Sequence, residues 1–242
     1  MAKDATERTR RPPYDVAEAI SAMAVADPKL RALMERVGPF TLRMPGTQSP
    51  FEALARSIIY QQLHGKAAAA IHGRMIEGFA SVCGVGVHPG PEHLLECPTE
   101  QLRGAGLSRN KVLALRDLAA KTMDGTVPSL ARIRRMSDEA IIEQLTQVRG
   151  IGRWTVEMML IFRLGRTDVL PVDDYGVRKG FALTFQGLKP TTKVTPALLP
   201  KAEVMRRRAK RWTPWCSVAS WYLWRACDLA DAEKKGVAGS TL

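Results

Sequence analysis

SDEAIIEQLTQVRGIGRWTVEMMLIF, residues 137–162, joins an amphipathic segment to an apolar segment through a glycine-containing turn. Ser137 precedes the first segment as a possible N-cap, and acidic residues follow it in the first turn, where they suit the helix dipole. The second segment is apolar nearly all round in its middle, which is typical of a buried helix. The stretch therefore predicts a helical hairpin over residues 137–164 with a four-residue turn, residues 149–152.

The turn has the chemistry of an anion site. Gly150 and Gly152 permit backbone angles that a Cβ would forbid, and they let another backbone approach closely. The first N–H groups of the second helix point outward at the positive end of its dipole, which suits a phosphate. Arg149 and Arg153 would add positive charge beside it. An ordinary connection with glycine at the helix C-cap is the alternative interpretation.

The rest of the 242-residue chain is also predicted to be helical. Almost every periodic segment favours helix, and the only serious strand candidate is GPFTLRM, residues 38–44. We expect an all-α fold of roughly ten helices in two lobes, with the active-site cleft between them. The predicted parts are a mobile basic tail (1–15), a helical domain (16–235) with its middle lobe at about 66–170 and the other lobe made by the terminal helices, and a second tail (236–242).

The charge of the chain points to a polyanionic partner. The formal net charge is +12, and its cations cluster at loops and helix ends, which favours nucleic acid. RRRAK, residues 206–210, is typical of a solvated helix face. No signal peptide or membrane-length apolar run is evident. The four cysteines lack zinc-site spacing, so we expect reduced thiols in a cytoplasmic or nuclear protein.

An acidic pair follows the hairpin, in LPVDDYGVRKGF, with Asp174 twenty residues after Trp154. Together with LTQVRGIGRWTVEMM and the upstream FEALARSIIYQQLHGKAAAA, this segment resembles the helix-hairpin-helix (HhH-GPD) DNA glycosylases. The strings GIGRWT, DDY and RWTPWCSVASWYLW are similar to the alkylpurine branch, the DNA-3-methyladenine glycosylase II type. The resemblance covers roughly residues 20 to 230.

The resemblance implies excision of a damaged base by cleavage of its N-glycosidic bond, with Asp174 as the catalytic aspartate. A carboxylate below the sugar can stabilise the positive charge that develops on the deoxyribose. It can instead orient or deprotonate the attacking water, and the sequence leaves both roles open. Asp173 or Asp174 could also merely cap the following helix, and Asp173 is the better cap candidate.

The family's aromatic base pocket maps onto this chain only in part. Trp154 and Trp224 fall on two pocket positions, whereas a third aromatic of better-known members falls on Met158. A cationic alkylated base would stack well on such rings and leave as a neutral purine without a general acid. The remaining tryptophans, at helical spacing, are interpreted as core: Trp212, Trp215 and Trp221.

Base excision also requires the base to be flipped out of the duplex. YQQLHG lies where the family carries its apolar wedge. Leu63 is the wedge candidate, with Gln62 and His64 as polar neighbours, and a core leucine at a helix end is the alternative.

A second glycine turn, AGLSRNKVLAL, is interpreted as structural, with Arg109 and Lys111 facing DNA. Thr155, at the exit of the hairpin turn, completes the predicted DNA-binding set.

Two chemistries are expected to be absent. Members that also nick the strand carry a lysine where this chain has Trp154, and a Schiff base needs an amine. An iron–sulfur branch needs four cysteines near its C-terminus, where this chain has only Cys216 and Cys227. The resemblance also implies a possible Na⁺ or K⁺ on hairpin carbonyls near Val148 and Ile151.

Three functions therefore stay open. The sequence favours a monofunctional glycosylase that acts as a monomer on alkylated bases in double-stranded DNA. A glycosylase for deaminated or oxidised bases is the second possibility. A non-catalytic hairpin protein, bound to DNA through the backbone, is the third, and it would need only the glycine turn and the basic surface.

Overall fold

The computed structural model describes residues 9–45 and 49–239, and the regular secondary structure of these residues is helical. The predicted all-α class is confirmed. The strand candidate at residues 38–44 contributes only a single antiparallel bridge between Arg10 and Met44. No helix among the described residues is long and apolar enough to cross a membrane.

The described residues form more helices than the roughly ten predicted, because several are short pieces of four to six residues. In chain order they are α1 (Val16–Ala26), α2 (Pro28–Val37), α3 (Pro50–Tyr60), α4 (Gly65–Gly78), α5 (Ala80–Cys83), α6 (Pro91–Glu96), α7 (Thr99–Gly104), α8 (Arg109–Met123), α9 (Leu130–Ile133), α10 (Asp138–Leu145), α11 (Arg153–Met159), α12 (Tyr175–Phe185), α13 (Ala202–Ala209) and α14 (Cys216–Gly239). A π-helical turn, Leu160–Leu164, follows α11, and a 3₁₀ turn, Pro196–Leu198, precedes α13.

The described residues divide into two compact units. The first unit contains residues 9–45 and 160–239, and the second contains residues 49–159. The middle lobe predicted at about 66–170 is therefore misplaced at both ends. Its start is wrong because α3 buries its apolar face against α8 and α4, which are helices of the second unit.

In the second unit, α8 is the central helix and packs against α3, α6 and α7. The helices α10 and α11 contact each other, and α11 also contacts α3. The hairpin and the connection between α3 and α4 therefore both lie beside α8.

In the first unit, α14 packs against α1, α2 and α12. Its contact with α12 is at backbone level, because a Cβ on Gly180 would lie 2.6 Å from the carbonyl carbon of Leu223. Only glycine allows this approach. The contact fixes the start of α12, which carries Asp174, relative to the middle of α14, which carries Trp224.

The predicted terminal tails are too long. Arg10 pairs with Met44, the rings of Tyr14 and Trp215 lie 5.9 Å apart, and Asp15 caps α1, so residues 9–15 pack on the first unit. Residues 1–8 lie outside the described residues. At the other end α14 continues to Gly239, and residues 240–242 lie outside the described residues.

A buried carboxylate stabilises the first unit. Asp27 is fully buried and caps α2, and its oxygens accept hydrogen bonds from Arg208 at 2.7 and 2.8 Å and from Trp212 Nε1 at 3.0 Å. Burial alone would raise the pKa of Asp27, but the hydrogen bonds from Arg208 and Trp212 outweigh it and leave the pKa below its ordinary value. Arg208 is therefore an ion-pair partner rather than part of a solvated face.

Asp27→Asn should lower the free energy of unfolding by about 3 kcal/mol at pH 7, because it leaves Arg208 without its counter-charge. The native pKa of Asp27 is depressed, so the carboxylate stabilises the fold above its ordinary pKa and ceases to do so as pH falls through the native value. The difference between variant and wild type should therefore shrink in acid. Urea unfolding at pH 7 and at low pH measures it.

Asp15→Asn is the matched control, because Asp15 also caps a helix but is exposed. Asparagine caps as well as aspartate, so this variant should change stability by less than about 0.5 kcal/mol. Equal effects of the two variants would show that the buried pair contributes nothing beyond capping.

Candidate active site

The structure confirms the two helices of the hairpin. Ser137 Oγ accepts the N–H of Ala140 at 3.3 Å at the start of α10, and α11 begins at Arg153. The turn between them comprises residues 146–152 and is longer than the four residues predicted, because α10 already ends at Leu145.

The two glycines of the turn have different roles. Gly150 has a φ of +77°, which a side chain rarely adopts. Gly152 has no positive φ, so of the two glycines predicted to permit unusual backbone angles only Gly150 adopts one. Its C=O accepts the N–H groups of Thr155 and Val156, which makes it the cap of α11, and a Cβ there would meet nothing within 4 Å. Neither backbone nor packing within the chain requires glycine at this position.

The turn is held by α8. Asp117 Oδ2 accepts the backbone N–H of Arg149 at 2.7 Å, and Lys121 Nζ donates both to Asp117 and to the Gln147 carbonyl at 2.6 Å. Burial would raise the pKa of Asp117, but the Arg149 N–H and the Lys121 ammonium hold it below its ordinary value. Sequence reasoning missed both α8 residues, although their i,i+4 spacing indicates a helical ion pair.

Arg153 and Thr155 were predicted to contact DNA at the hairpin, and those contacts stay predictions. The Arg153 guanidinium donates to Glu157 at 3.0 Å and to Glu139 at 3.0 Å, so acids of the hairpin itself occupy it. Thr155 is buried, with only 7% of the residue exposed. Arg149, by contrast, is exposed at the turn.

A cavity of about 590 Å³ lies beside the hairpin within the second unit. It brings together the predicted Trp154 and Met158, one helical turn apart on α11, and Trp154 is 46% exposed. Its other lining residues are Ser57, Tyr60, Gln61, Gln62, Gly150 and Thr155.

Tyr60 gives this cavity a second aromatic ring. The Arg56 guanidinium lies 4.5 Å from the centre of that ring. Sequence reasoning missed Tyr60, and an aromatic at the last position of a helix that leads into a functional turn could have indicated it.

The wedge candidate lies on an exposed turn between α3 and α4. Leu63 is 39% exposed, so the core-leucine alternative does not hold. Gln62 has a φ of +56°, the one positive value at a non-glycine residue in the described chain. His64 is exposed directly before α4.

Lys111, which was predicted to face DNA, extends instead to the end of α3. Its Nζ donates to the carbonyls of Ile59 and Gln61, at 2.6 and 2.9 Å. Arg109 is exposed at the start of α8, and its DNA contact stays a prediction. The preceding turn has the structural character expected, because Gly106 has a φ of +99° and Ser108 caps α8 at the N–H of Lys111.

In the first unit, Asp174 is both the cap of α12 and the partner of Trp224. Its Oδ1 accepts the N–H of Val177 at 2.8 Å and the indole N–H of Trp224 at 2.7 Å. Asp173 is exposed and is not the cap, so the expectation that it caps better than Asp174 is wrong. The two bonds fix the orientation of the Asp174 carboxylate.

Trp224 is positioned by its neighbours. Its ring stacks on Phe162 with centroids 5.5 Å apart, and a Cβ on Gly176 would lie 2.6 Å from its Cδ1. The indole N–H is thus directed to Asp174 by packing. Phe162, in the π-helical turn, was missed by sequence reasoning. The other tryptophans are core as predicted: Trp212 and Trp221 are buried, and Trp215 is half-buried against Tyr14.

The described residues contain no side-chain cluster that could hold a metal ion. Among residues 9–45 and 49–239, no three His, Cys, Asp or Glu side chains gather as a metal site. Near the predicted monovalent-cation position, the Val148 carbonyl accepts the N–H of Ile151 at 3.0 Å, and the Gly150 carbonyl accepts the Gln61 amide at 2.9 Å. Donors of the chain already use these oxygens, and a bound Na⁺ or K⁺ there stays a prediction.

Comparisons with known protein families and with individual proteins agree on the family of this chain. Residues 55–211 match the model described as HhH-GPD superfamily base excision DNA repair protein. DNA-3-methyladenine glycosylase 1 of Schizosaccharomyces pombe is 38% identical over 209 residues, which make up 86% of this chain and 86% of that protein.

Solved structures agree with this result. DNA-3-methyladenine glycosidase from Bacillus halodurans has a TM-score of 0.73 at 30% identity, over 91% of this chain and 92% of that one. The 3-methyladenine DNA glycosylase of S. pombe, solved in complex with abasic DNA, has a TM-score of 0.70 at 34% identity, over 86% of this chain and 95% of that one.

Gly150→Ser should lower the free energy of unfolding by about 1–2 kcal/mol, because a side chain is strained at this positive φ. Gly152→Ser should change it by less than about 0.5 kcal/mol, because serine is a good N-cap and the space is open. Urea unfolding of both variants measures the difference. Equal destabilisation would mean that Gly152 is also required by the fold.

Proposed function

Because this chain belongs to the HhH-GPD superfamily of base excision DNA repair proteins, we propose that it excises alkylated bases from double-stranded DNA by hydrolysing the N-glycosidic bond. The observation that carries the proposal is the carboxylate of Asp174, fixed at one oxygen by the α12 backbone and the Trp224 indole. The substrate class follows the names of the relatives, which are 3-methyladenine glycosylases.

Asp174 supplies the chemistry in this proposal. Cleavage leaves positive charge on the deoxyribose, and a carboxylate held in one orientation stabilises that charge without reorganising. The same carboxylate can orient the attacking water. A base alkylated at N3 or N7 already carries positive charge and leaves as a neutral purine. No general acid is needed for that class of substrate.

The hairpin is the proposed contact with the DNA backbone. Asn, Asp and Ser cap helices at least as well as glycine. Nothing among the described residues fills the space at Gly152, so a group from outside the protein can approach the backbone there. A phosphate at the start of α11 has the required charge, and the exposed Arg149 lies in the same turn. Duplex DNA and a net charge of +12 are complementary.

The second unit also carries the proposed parts for base flipping and base selection. Leu63 is exposed on its turn, where an apolar side chain can fill the gap left in a base stack. The neighbouring cavity carries the ring of Trp154, whose electron-rich face attracts a cationic base, whereas the Tyr60 ring already has the Arg56 guanidinium over one face. This preference for positive charge favours alkylated bases over deaminated or oxidised bases, which are neutral.

Asp174→Asn should reduce the release of methylated bases by at least about a hundredfold, because the neutral amide cannot stabilise the developing charge. DNA affinity and folding should be retained, since asparagine also caps α12. Chromatography of free bases released from methylated duplex DNA measures the rate, and a binding titration measures the affinity.

Asp173→Asn is the matched control and should keep most of the wild-type rate, because Asp173 is exposed and does not cap the helix. Base release by Asp174→Asn at the wild-type rate would remove Asp174 from the mechanism. Salt-dependent DNA binding without base release by the wild type would instead support the non-catalytic hairpin protein.

We also propose that the enzyme is monofunctional, of the 3-methyladenine glycosylase II type, and acts as a monomer. The monofunctional assignment is supported by Trp154, an indole at the position where the resemblance places the lysine of strand-nicking members. An indole cannot form a Schiff base.

Incubation with abasic DNA and borohydride should therefore trap no covalent protein–DNA complex, because there is no imine to reduce. A denaturing gel detects the complex, and a strand-nicking glycosylase serves as positive control. A trapped band from this protein would show that another amine performs the lyase reaction.

A further inference from the structure

Lys111 occupies a position that its own helix disfavours. It lies in the first turn of α8, where the positive end of the helix dipole repels a cation. Its side chain extends to the end of α3 and donates to two carbonyls there, Ile59 at 2.6 Å and Gln61 at 2.9 Å. The last carbonyls of a helix lack partners within it, and a cation stabilises them. The hydrogen bonds to the end of α3 therefore explain why a lysine lies at this position, whereas the dipole of α8 does not favour it.

The turn that Lys111 contacts is the one that carries the wedge candidate. Within it Gln62 has a φ of +56°, a conformation that persists only when surrounding contacts impose it. Gln61 makes a further bond, from Nε2 to the Gly150 carbonyl at 2.9 Å. The turn is thus tied to α8 by Lys111 and to the hairpin by Gln61, while Leu63 stays exposed.

We propose that Lys111 is a positioning residue that holds the Gln61–Leu63 turn rigid so that Leu63 can act as the wedge in base flipping. The inference rests on the proposed function. A wedge must resist the restacking of the base, and an apolar side chain on a loose turn would be displaced instead. Loss of Lys111 therefore impairs extrusion of a stacked base, with little effect on binding of the DNA backbone or on bond cleavage.

Contacts of the ammonium support an internal role. Two carbonyls take two of its three N–H groups, and burial lowers the pKa of Lys111. A group that neutralises phosphate would instead be solvated and mobile. Arg109, two residues earlier in the same helical turn, is exposed and provides the matched comparison.

The test compares Lys111→Met, which has similar length without charge, with Arg109→Met. Single-turnover excision is measured for one 7-methylguanine paired in a duplex and for the same base opposite an abasic analogue, where stacking and pairing are weakened. Lys111→Met should slow excision of the paired base about tenfold or more, as expected for two lost charge-assisted hydrogen bonds. It should slow the unpaired base at most about threefold and leave Kd nearly unchanged. Arg109→Met should weaken binding and affect both substrates equally.

A fluorescence readout is independent of catalysis. With 2-aminopurine next to an abasic analogue, binding of wild type should raise fluorescence by unstacking the reporter, and Lys111→Met should give a markedly smaller rise at saturation. Lys111→Gln keeps a hydrogen-bond donor on a shorter side chain, so its fluorescence rise should lie between those of wild type and Lys111→Met. It replaces Lys111→Met in the comparison if that variant has a lowered Tm.

Equal slowing of both substrates by Lys111→Met, or an unchanged fluorescence rise, would overturn the positioning role. A loss confined to Kd would make Lys111 a phosphate contact and also overturn it. If wild type excises neither substrate, the proposed function fails, but the fluorescence comparison still decides whether Lys111 controls unstacking.

Discussion

The hydrogen bond from the Trp224 indole to Asp174 is the interaction on which the proposed chemistry depends. It exists because α12 and α14 meet at backbone level at Gly180, and because Gly176 leaves room for the indole ring. With the cap bond to Val177, it gives the carboxylate a fixed orientation before any substrate arrives. Preorganised charge of this kind is usually the largest contribution to catalysis. Trp224 was predicted as an aromatic residue of the base pocket, and the structure shows in addition that it orients Asp174.

In the second unit, one helix sets both turns proposed to contact DNA. Lys121 and Asp117 of α8 hold the hairpin turn, and Lys111 of α8 holds the turn that carries Leu63. Both lysines donate to main-chain carbonyls. Part of the large positive charge of this chain therefore makes hydrogen bonds within the protein and stabilises its turns. The total number of Lys and Arg residues is therefore larger than the number available to bind phosphate. The same holds for Arg153 and Arg208, whose partners are carboxylates.

The sequence predicted the features that depend on neighbouring residues. The helices of the hairpin and the cap at Ser137 follow from short-range patterns, and the structure confirms them. The errors involve partners far apart in the chain. Lys111 donates to the carbonyls of Ile59 and Gln61, 52 and 50 residues earlier, although its position suggested DNA. Tyr60 joins the cavity only through the packing of α3 against α11. No local pattern encodes these contacts.

The central claim of the proposed function is that Asp174 stabilises the charge that develops on the sugar, and that the electron-rich face of Trp154 favours bases that already carry positive charge. Single-turnover release rates from otherwise identical duplexes test it most directly, with 3-methyladenine and 7-methylguanine compared against uracil, hypoxanthine and 8-oxoguanine. Faster release of both methylated purines than of every neutral lesion is the predicted result. Release of any neutral lesion at a rate equal to or higher than that of the methylated purines would contradict it.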